Sequence, residues 1–159
     1  MRSLVAFIVL AGALTAATGD AFGQSRSTDA PTFLSHVVRL IAANDYATAY
    51  PLLHPAQRRL VAAADYVNCE QLSPIPGKLT SLRVLRTTRV RIHVAGTTNG
   101  RVPSTAVTFE LQLTSSVDRE SATIRMTAHA VSVSGRWAWI LSERRLAWDH
   151  PGICGVVAK

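Results

Sequence analysis

The densest group of chemically active side chains lies in residues 83–94, Arg-Val-Leu-Arg-Thr-Thr-Arg-Val-Arg-Ile-His-Val, where four arginines and a histidine fall within twelve residues. Guanidinium groups bind carboxylates and phosphates through paired hydrogen bonds, so arginines on neighbouring strands can converge on one anionic ligand. Basic residues that alternate with apolar ones are also typical of the solvent-facing side of a β-sheet. The run therefore predicts either an anion- or partner-binding surface or an exposed sheet face.

Two tryptophans and two histidines are further candidates for binding. Trp137 and Trp139 share one side of a predicted strand, where they would either belong to the core or offer apolar area and indole donors to a partner. His93 and His129 fall at polar strand positions, and two histidines alone make a poor metal site. No metal site and no cofactor are predicted. The candidate ligand- or partner-binding residues are Arg89, Arg91, Arg125, His129, Trp137 and Trp139.

The common catalytic signatures are missing from the sequence. It contains no Gly-x-Ser-x-Gly, no phosphate-binding loop, no His-Glu-x-x-His and no dinucleotide fingerprint. His54 precedes Pro55 at a predicted helix end, where it would bond exposed carbonyls or face the mouth of a pocket. No catalytic residue is predicted.

The N-terminus has the three parts of a secretory signal peptide. A basic start at Arg2 is followed by an uncharged run from Leu4 to Gly19 and by small and polar residues. The run is shorter than the roughly 20 residues of a membrane-spanning helix. We therefore expect a secreted protein with residues 1–23 as the signal peptide, 24–31 as a disordered lead and 32–159 as one domain.

Charge and cysteine content fit this compartment. The formal net charge of +7 is spread along the chain without a polybasic block, which favours weak attraction to anionic envelope surfaces over nucleic-acid binding. The two cysteines, Cys69 and Cys154, predict a structural disulfide in an exported protein. Closing so long a loop would stabilise the fold by roughly 4–5 kcal/mol.

The chain changes its apolar period near Lys78. Before it, Leu34, Val37, Val38 and Ile41 predict a helix from Thr32. Further helices are predicted over 45–53 and 55–63, followed by one or two turns capped by Asp65. After it, two-residue alternation and short turns predict antiparallel strands over 82–94, 105–115, 121–134 and 136–143. Helices followed by a sheet indicate an α+β fold, with N-terminal helices packed on a curved antiparallel β-meander.

The alternation also predicts which side chains share a face of this sheet. Arginines on the polar face would be offset by cross-strand pairing with Glu110. The predicted core face carries Val84, Val90, Ile92, Val94, Val107, Phe109, Leu111, Leu113, Ile124, Met126 and Ala128. The predicted polar face carries Arg89, Arg91, His93, Thr108, Glu110, Gln112, Thr123, Arg125, Thr127 and His129.

Three segments in this order resemble a known superfamily. They are Asn-Asp-Tyr-Ala-Thr-Ala-Tyr-Pro-Leu-Leu-His-Pro (44–55), Asp-Tyr-Val-Asn-Cys-Glu (65–70) and Gly-Arg-Trp-Ala-Trp-Ile-Leu (135–141). Over roughly residues 30–154 the chain resembles the nuclear transport factor two-like superfamily, which has a cystatin-like roll, and in particular its small exported members from high-GC Gram-positive bacteria. The resemblance implies a bent sheet wrapped around the helices, a pocket at its open end, and pairing of Cys69 with Cys154.

The resemblance leaves the function open, since that superfamily includes both enzymes and binding domains. We expect an exported, non-catalytic domain that binds a small apolar ligand or an envelope partner, as a monomer or a homodimer. One alternative is a small isomerase- or dehydratase-like enzyme with an unidentified cavity residue. In the enzyme branches an Asp or His in the cavity acts as base, and the predicted inward strand positions here carry neither. The other alternative is a structural interaction module.

Overall fold

The computed structural model describes residues 29–98, 100–149 and 154; the predicted signal peptide and residues 24–28 of the predicted lead lie outside them. Within this part of the chain, N-terminal helices pack on a four-stranded antiparallel sheet, so the predicted α+β meander is confirmed. The elements are α1 (Ala30–Ala42), α2 (Tyr46–Ala49), a 3-10 turn (Tyr50–Leu52), α3 (Pro55–Arg58), α4 (Ala63–Gln71), β1 (Lys78–Ile92), β2 (Val102–Thr114), β3 (Ser121–Val133), β4 (Arg136–Ile140) and α5 (Glu143–Trp148).

Helix α1 supplies most of the contact between the two layers. It begins two residues before the predicted Thr32, because the Asp29 carboxylate accepts a hydrogen bond from the Thr32 amide and Pro31 fits the first turn. Its apolar side is buried and packs against all four strands. The face predicted from the spacing of Leu34, Val37 and Val38 is the buried one.

The later helices are shorter than the sequence predicts. Asp45 caps α2 as expected, and its carboxylate accepts from the Thr48 amide. The helix predicted to continue to residue 63 ends at Arg58, and α4 begins at Ala63. The capping role predicted for Asp65 is wrong, because Asp65 lies inside the first turn of α4, where a negative charge suits the positive end of the helix.

The strand order is β1-β2-β3-β4, which leaves two edges that differ. The β4 edge is covered, because Leu53 forms a bridge with Trp139 and the His54 amide donates to the Trp139 carbonyl. The buried side-chain amide of Gln57 donates to the Leu141 carbonyl and accepts from the Leu141 amide. The 15-residue β1 forms the other edge, with most of its side chains exposed.

An extra residue in β1 changes the faces of the sheet. Val84 pairs with Phe109 and Arg86 pairs with Thr108, which leaves Leu85 as a β-bulge between them. A second irregularity occurs at Thr80. Each one-residue insertion reverses the alternation of the side chains that follow it.

The bulge makes part of the predicted face assignment wrong. Beyond it, Val90 pairs with Ser104, so Val90 and Ile92 lie on the opposite side of the sheet from Phe109. Arg89 pairs with Thr105 and therefore lies on the side of Phe109. The prediction assumed unbroken alternation through residues 83–94.

The buried core lies between the helices and the middle of the sheet. Phe109 and Leu111 on β2 are almost fully buried against it. Their β3 partners Met126 and Ile124 share the core face, as predicted, and are still 36% and 44% exposed. The helices therefore cover the core face at β2 and leave this part of β3 partly exposed.

The disulfide between Cys69 and Cys154 is confirmed, with Cα atoms 5.2 Å apart. It ties α4 to the chain beyond α5 across a sequence separation of 85 residues. No helix in the described residues is long and apolar enough to cross a membrane. A disulfide of this kind is a hint of an extracytoplasmic location.

Candidate functional site

A cavity of about 280 Å³ lies between the helical half and the β4–α5 segment. We call it the first cavity. Its walls are mainly aromatic and aliphatic, with one glutamate and one arginine. The lining residues are Ile41, Tyr46, Tyr66, Glu70, Ser73, Ile75, Trp139, Leu141 and Arg145.

An ion pair closes one side of this cavity. The Nε and Nη2 atoms of Arg145 donate to the two carboxylate oxygens of Glu70, which is 5% exposed. Paired, charge-assisted hydrogen bonds of this geometry are among the strongest side-chain contacts. The hydrogen bonds to Glu70 raise the pKa of Arg145, and burial opposes this. The guanidinium group therefore stays charged.

A second carboxylate, that of Asp149, lies close to this pair. Asp149 is 0% exposed, and neither of its oxygens has a hydrogen-bond partner among the described residues. Burial and the negative charge of Glu70 raise the pKa of Asp149 to about 7, although Arg145 acts in the opposite direction. Glu70, Arg145 and Asp149 form what we call the carboxylate–arginine cluster.

Two buried tyrosines form part of the wall of the first cavity. The rings of Tyr46 and Tyr66 meet edge to face with centroids 6.3 Å apart, and both residues are buried. The Tyr46 hydroxyl donates to the Asn44 side-chain oxygen. Burial, followed by the charges of Glu70 and Asp149, raises the pKa of Tyr66, so its hydroxyl keeps its proton.

Arg145 and Asp149 are not among the predicted site residues, because the sequence pattern does not predict α5. That helix has six residues, and its apolar positions are too few to show a helical period. A signal was nevertheless present: Ser142 is the N-cap, its hydroxyl accepts from the Arg145 amide, and Glu143 follows in the first turn. The predicted strand 136–143 ran through this start.

A second cavity, of about 370 Å³, lies where the end of β1 approaches the β4–α5 junction. His93 and Glu143 meet there, with 3.0 Å between Nδ1 and Oε1, and both side chains are largely exposed. His129 lines the same cavity; its Nδ1 is buried without a partner among the described residues, and burial lowers its pKa. The remaining lining residues are Ile92, Ala95, Thr127, Ile140, Leu141 and Ser142.

The three candidate arginines do not converge on one ligand. Arg125 lies on the polar face, where it and Arg83 both bind Glu110, with shortest N–O distances of 3.2 and 2.6 Å. This is the arginine–Glu110 pairing that the sequence predicted. Arg89 and Arg91 lie beyond the bulge on the other side of the sheet, and Arg91 donates to the Arg101 carbonyl. Their predicted common face with Arg125 is therefore wrong.

The two tryptophans lie on the core side of β4. Trp139 is 6% exposed, its indole donates to the Ala49 carbonyl, and its ring lines the first cavity. Trp137 is partly buried and packs against the core.

His54 lies at a helix end, as one of the two predicted alternatives has it, and it lines neither of the two cavities. Its contact differs from the predicted one: Nδ1 accepts a hydrogen bond from the Ala56 amide at the start of α3, and does not bond an exposed carbonyl of the described residues.

In the part of the chain that the structure covers, no group of three or more His, Cys, Asp or Glu side chains is arranged to hold a metal ion. No protein-family model and no curated protein matches the sequence.

Proposed function

We propose that this chain is an exported domain that binds a small, mainly apolar ligand in the first cavity, without catalysing a reaction. The observation that carries the proposal is this cavity itself, with walls formed by Tyr46, Tyr66 and Trp139 and by aliphatic residues. Ligand sites are typically concave and apolar with a few polar groups that fix orientation. A volume of about 280 Å³ is at the lower end of their range, which favours a small ligand.

Export is supported by the predicted signal peptide together with the disulfide, since disulfides persist in oxidising compartments. We also propose membership of the nuclear transport factor two-like superfamily. The order of helices and meander and the Cys69–Cys154 pairing agree with what the resemblance implies.

The carboxylate–arginine cluster favours a second candidate, a small isomerase- or dehydratase-like enzyme. A carboxyl group with a pKa of about 7, such as that of Asp149, can accept and return a proton at neutral pH. However, Glu70 is held by Arg145, and Asp149 is not among the residues that line the cavity. Ligand binding therefore ranks first.

A blocked cavity mouth tests the proposal. Ser73 is exposed and lines the first cavity, so Ser73→Trp fills the cavity from its exposed side with little cost to folding. We expect the neutral probe 3,3-dimethylbutan-1-ol to raise the midpoint of thermal unfolding of the wild type, because a ligand that binds only the folded state stabilises it. The variant should lose this increase.

Ser116→Trp, in the exposed turn between β2 and β3, is the matched control and should behave like the wild type. An equal increase in wild type and Ser73→Trp would place the probe elsewhere and overturn the proposal.

A further inference from the structure

We propose that the ligand of the first cavity is a small organic cation, an apolar ammonium compound held by the excess negative charge of the carboxylate–arginine cluster and by the aromatic walls. This inference rests on the proposed function and adds the charge of the ligand to it.

The charges of the cluster do not balance within the described residues. Arg145 uses Nε and Nη2 on the two oxygens of Glu70, so the two form a neutral pair. Asp149 adds a second carboxylate, which is fully buried and has no hydrogen-bond partner among the residues that the structure describes. With both acids ionised, the cluster carries one uncompensated negative charge, and two of its members, Glu70 and Arg145, line the cavity.

An uncompensated buried charge is costly, and something must offset it. A proton can do so, because burial and the charge of Glu70 raise the pKa of Asp149 to about 7. Among the described residues, the charged groups within electrostatic reach of Asp149 are Glu70 on α4 and Arg145 on α5. Glu70 opposes its ionisation and Arg145 favours it, so a cation in the cavity would take the place of the proton.

The walls of the cavity suit the apolar part of such a ligand. Tyr46, Tyr66 and Trp139 all line the cavity. Aromatic rings attract cations through their electron-rich faces, and the attraction grows when water is excluded. A neutral ligand would use the same walls and leave Asp149 uncompensated. The net charge of +7 gives cations no long-range attraction, so any preference for them must come from the cluster.

A pair of probes with the same shape separates charge from apolar contact. Choline carries a fixed positive charge, and 3,3-dimethylbutan-1-ol is its neutral carbon isostere. Titration calorimetry on the full disulfide-bonded chain should show choline binding more tightly by roughly tenfold, because a buried carboxylate interacts with it at low effective dielectric.

The Asp149→Asn variant should remove that preference and leave binding of the alcohol unchanged. Asp118→Asn, at an exposed turn carboxylate, is the matched control and should retain it. A second measurement needs no variant: the affinity of the wild type for choline should rise from pH 6 to pH 8 as Asp149 ionises, and binding should release protons.

Equal affinities for the two probes, with no pH dependence, would overturn the cation inference and leave the proposed function in place. Failure of both probes to bind would overturn both. Tighter binding of choline that persists in a folded Asp149→Asn variant would also overturn the inference, because the charge would then come from another group.

Discussion

Each of the two cavities contains a contact between a basic and an acidic side chain, and the two contacts differ in their exposure to water. Glu70 and Arg145 meet where Glu70 is 5% exposed and a second acid lies nearby. His93 and Glu143 meet at the second cavity with side chains 54% and 73% exposed. Water screens the second pair, so it contributes little, whereas removing one partner of the first leaves a buried charge. A contact between a basic and an acidic side chain therefore has different energetic consequences at the two sites.

The disulfide should show the largest effect, because it ties α4 next to the first cavity and has no counterpart at the second. Replacing Cys69 and Cys154 together by serine should lower the free energy of unfolding by roughly 4 kcal/mol, since the unfolded chain regains the entropy of a long loop. Urea denaturation measures this. Hydrogen exchange should show increased opening at α4 and α5 and little change around His129; a uniform increase would contradict the local role.

Arg145→Met should cause the second-largest loss of stability. It leaves Glu70 and Asp149 buried without a cation, and we expect a loss of about 3 kcal/mol in the free energy of unfolding at pH 7. Arg144→Met, at the exposed neighbouring position, should change stability by less than about 0.5 kcal/mol. Similar losses of unfolding free energy in both variants would show that burial of the charge does not determine its contribution to stability.

The pH dependence of stability gives a smaller effect. The pKa of Asp149 is about 7 in the folded protein and lies near 3.8 when the group is unperturbed. The folded state therefore holds more protons between these values, so this group's stabilising contribution is complete below about pH 4 and is lost as the pH rises to 7. In Asp149→Asn the fall in unfolding free energy between pH 5 and pH 8 should shrink by at least about 1 kcal/mol, the equivalent of one pKa unit. Denaturant titrations at the two pH values measure it, and an unchanged fall would contradict the buried, raised pKa.

The smallest effect is expected at the second cavity. Glu143→Gln removes the charge that faces His93, and the free energy of unfolding should change by no more than about 0.5 kcal/mol. A change as large as that of Arg145→Met would show that the two pairs are equivalent after all.

The sequence predicted the layers better than the site. Alternation in residues 105–115 and 121–134 was sufficient for the meander, because β2 buries its core face against the helices and short turns join β2 and β3. The adjacent apolar pair Val84-Leu85 marked the place where β1 slips by one residue, and only the pairing with β2 shows which of them is extra. The approach of His93 to Glu143 spans 50 positions and depends on how the ends of β1 and β4 come together. Local patterns contain no such information.

The bulges in β1 also bear on how the protein behaves at high concentration. As an edge of the sheet, this strand carries backbone amides and carbonyls without a neighbouring strand on one side, which is a template for adding a strand from another molecule. The irregularities at Thr80 and Leu85 break the regular spacing of those groups, and the exposed arginines of the strand repel an identical edge. The bulge at Leu85, which places the arginines of β1 on two faces, thus also makes edge-to-edge aggregation less favourable.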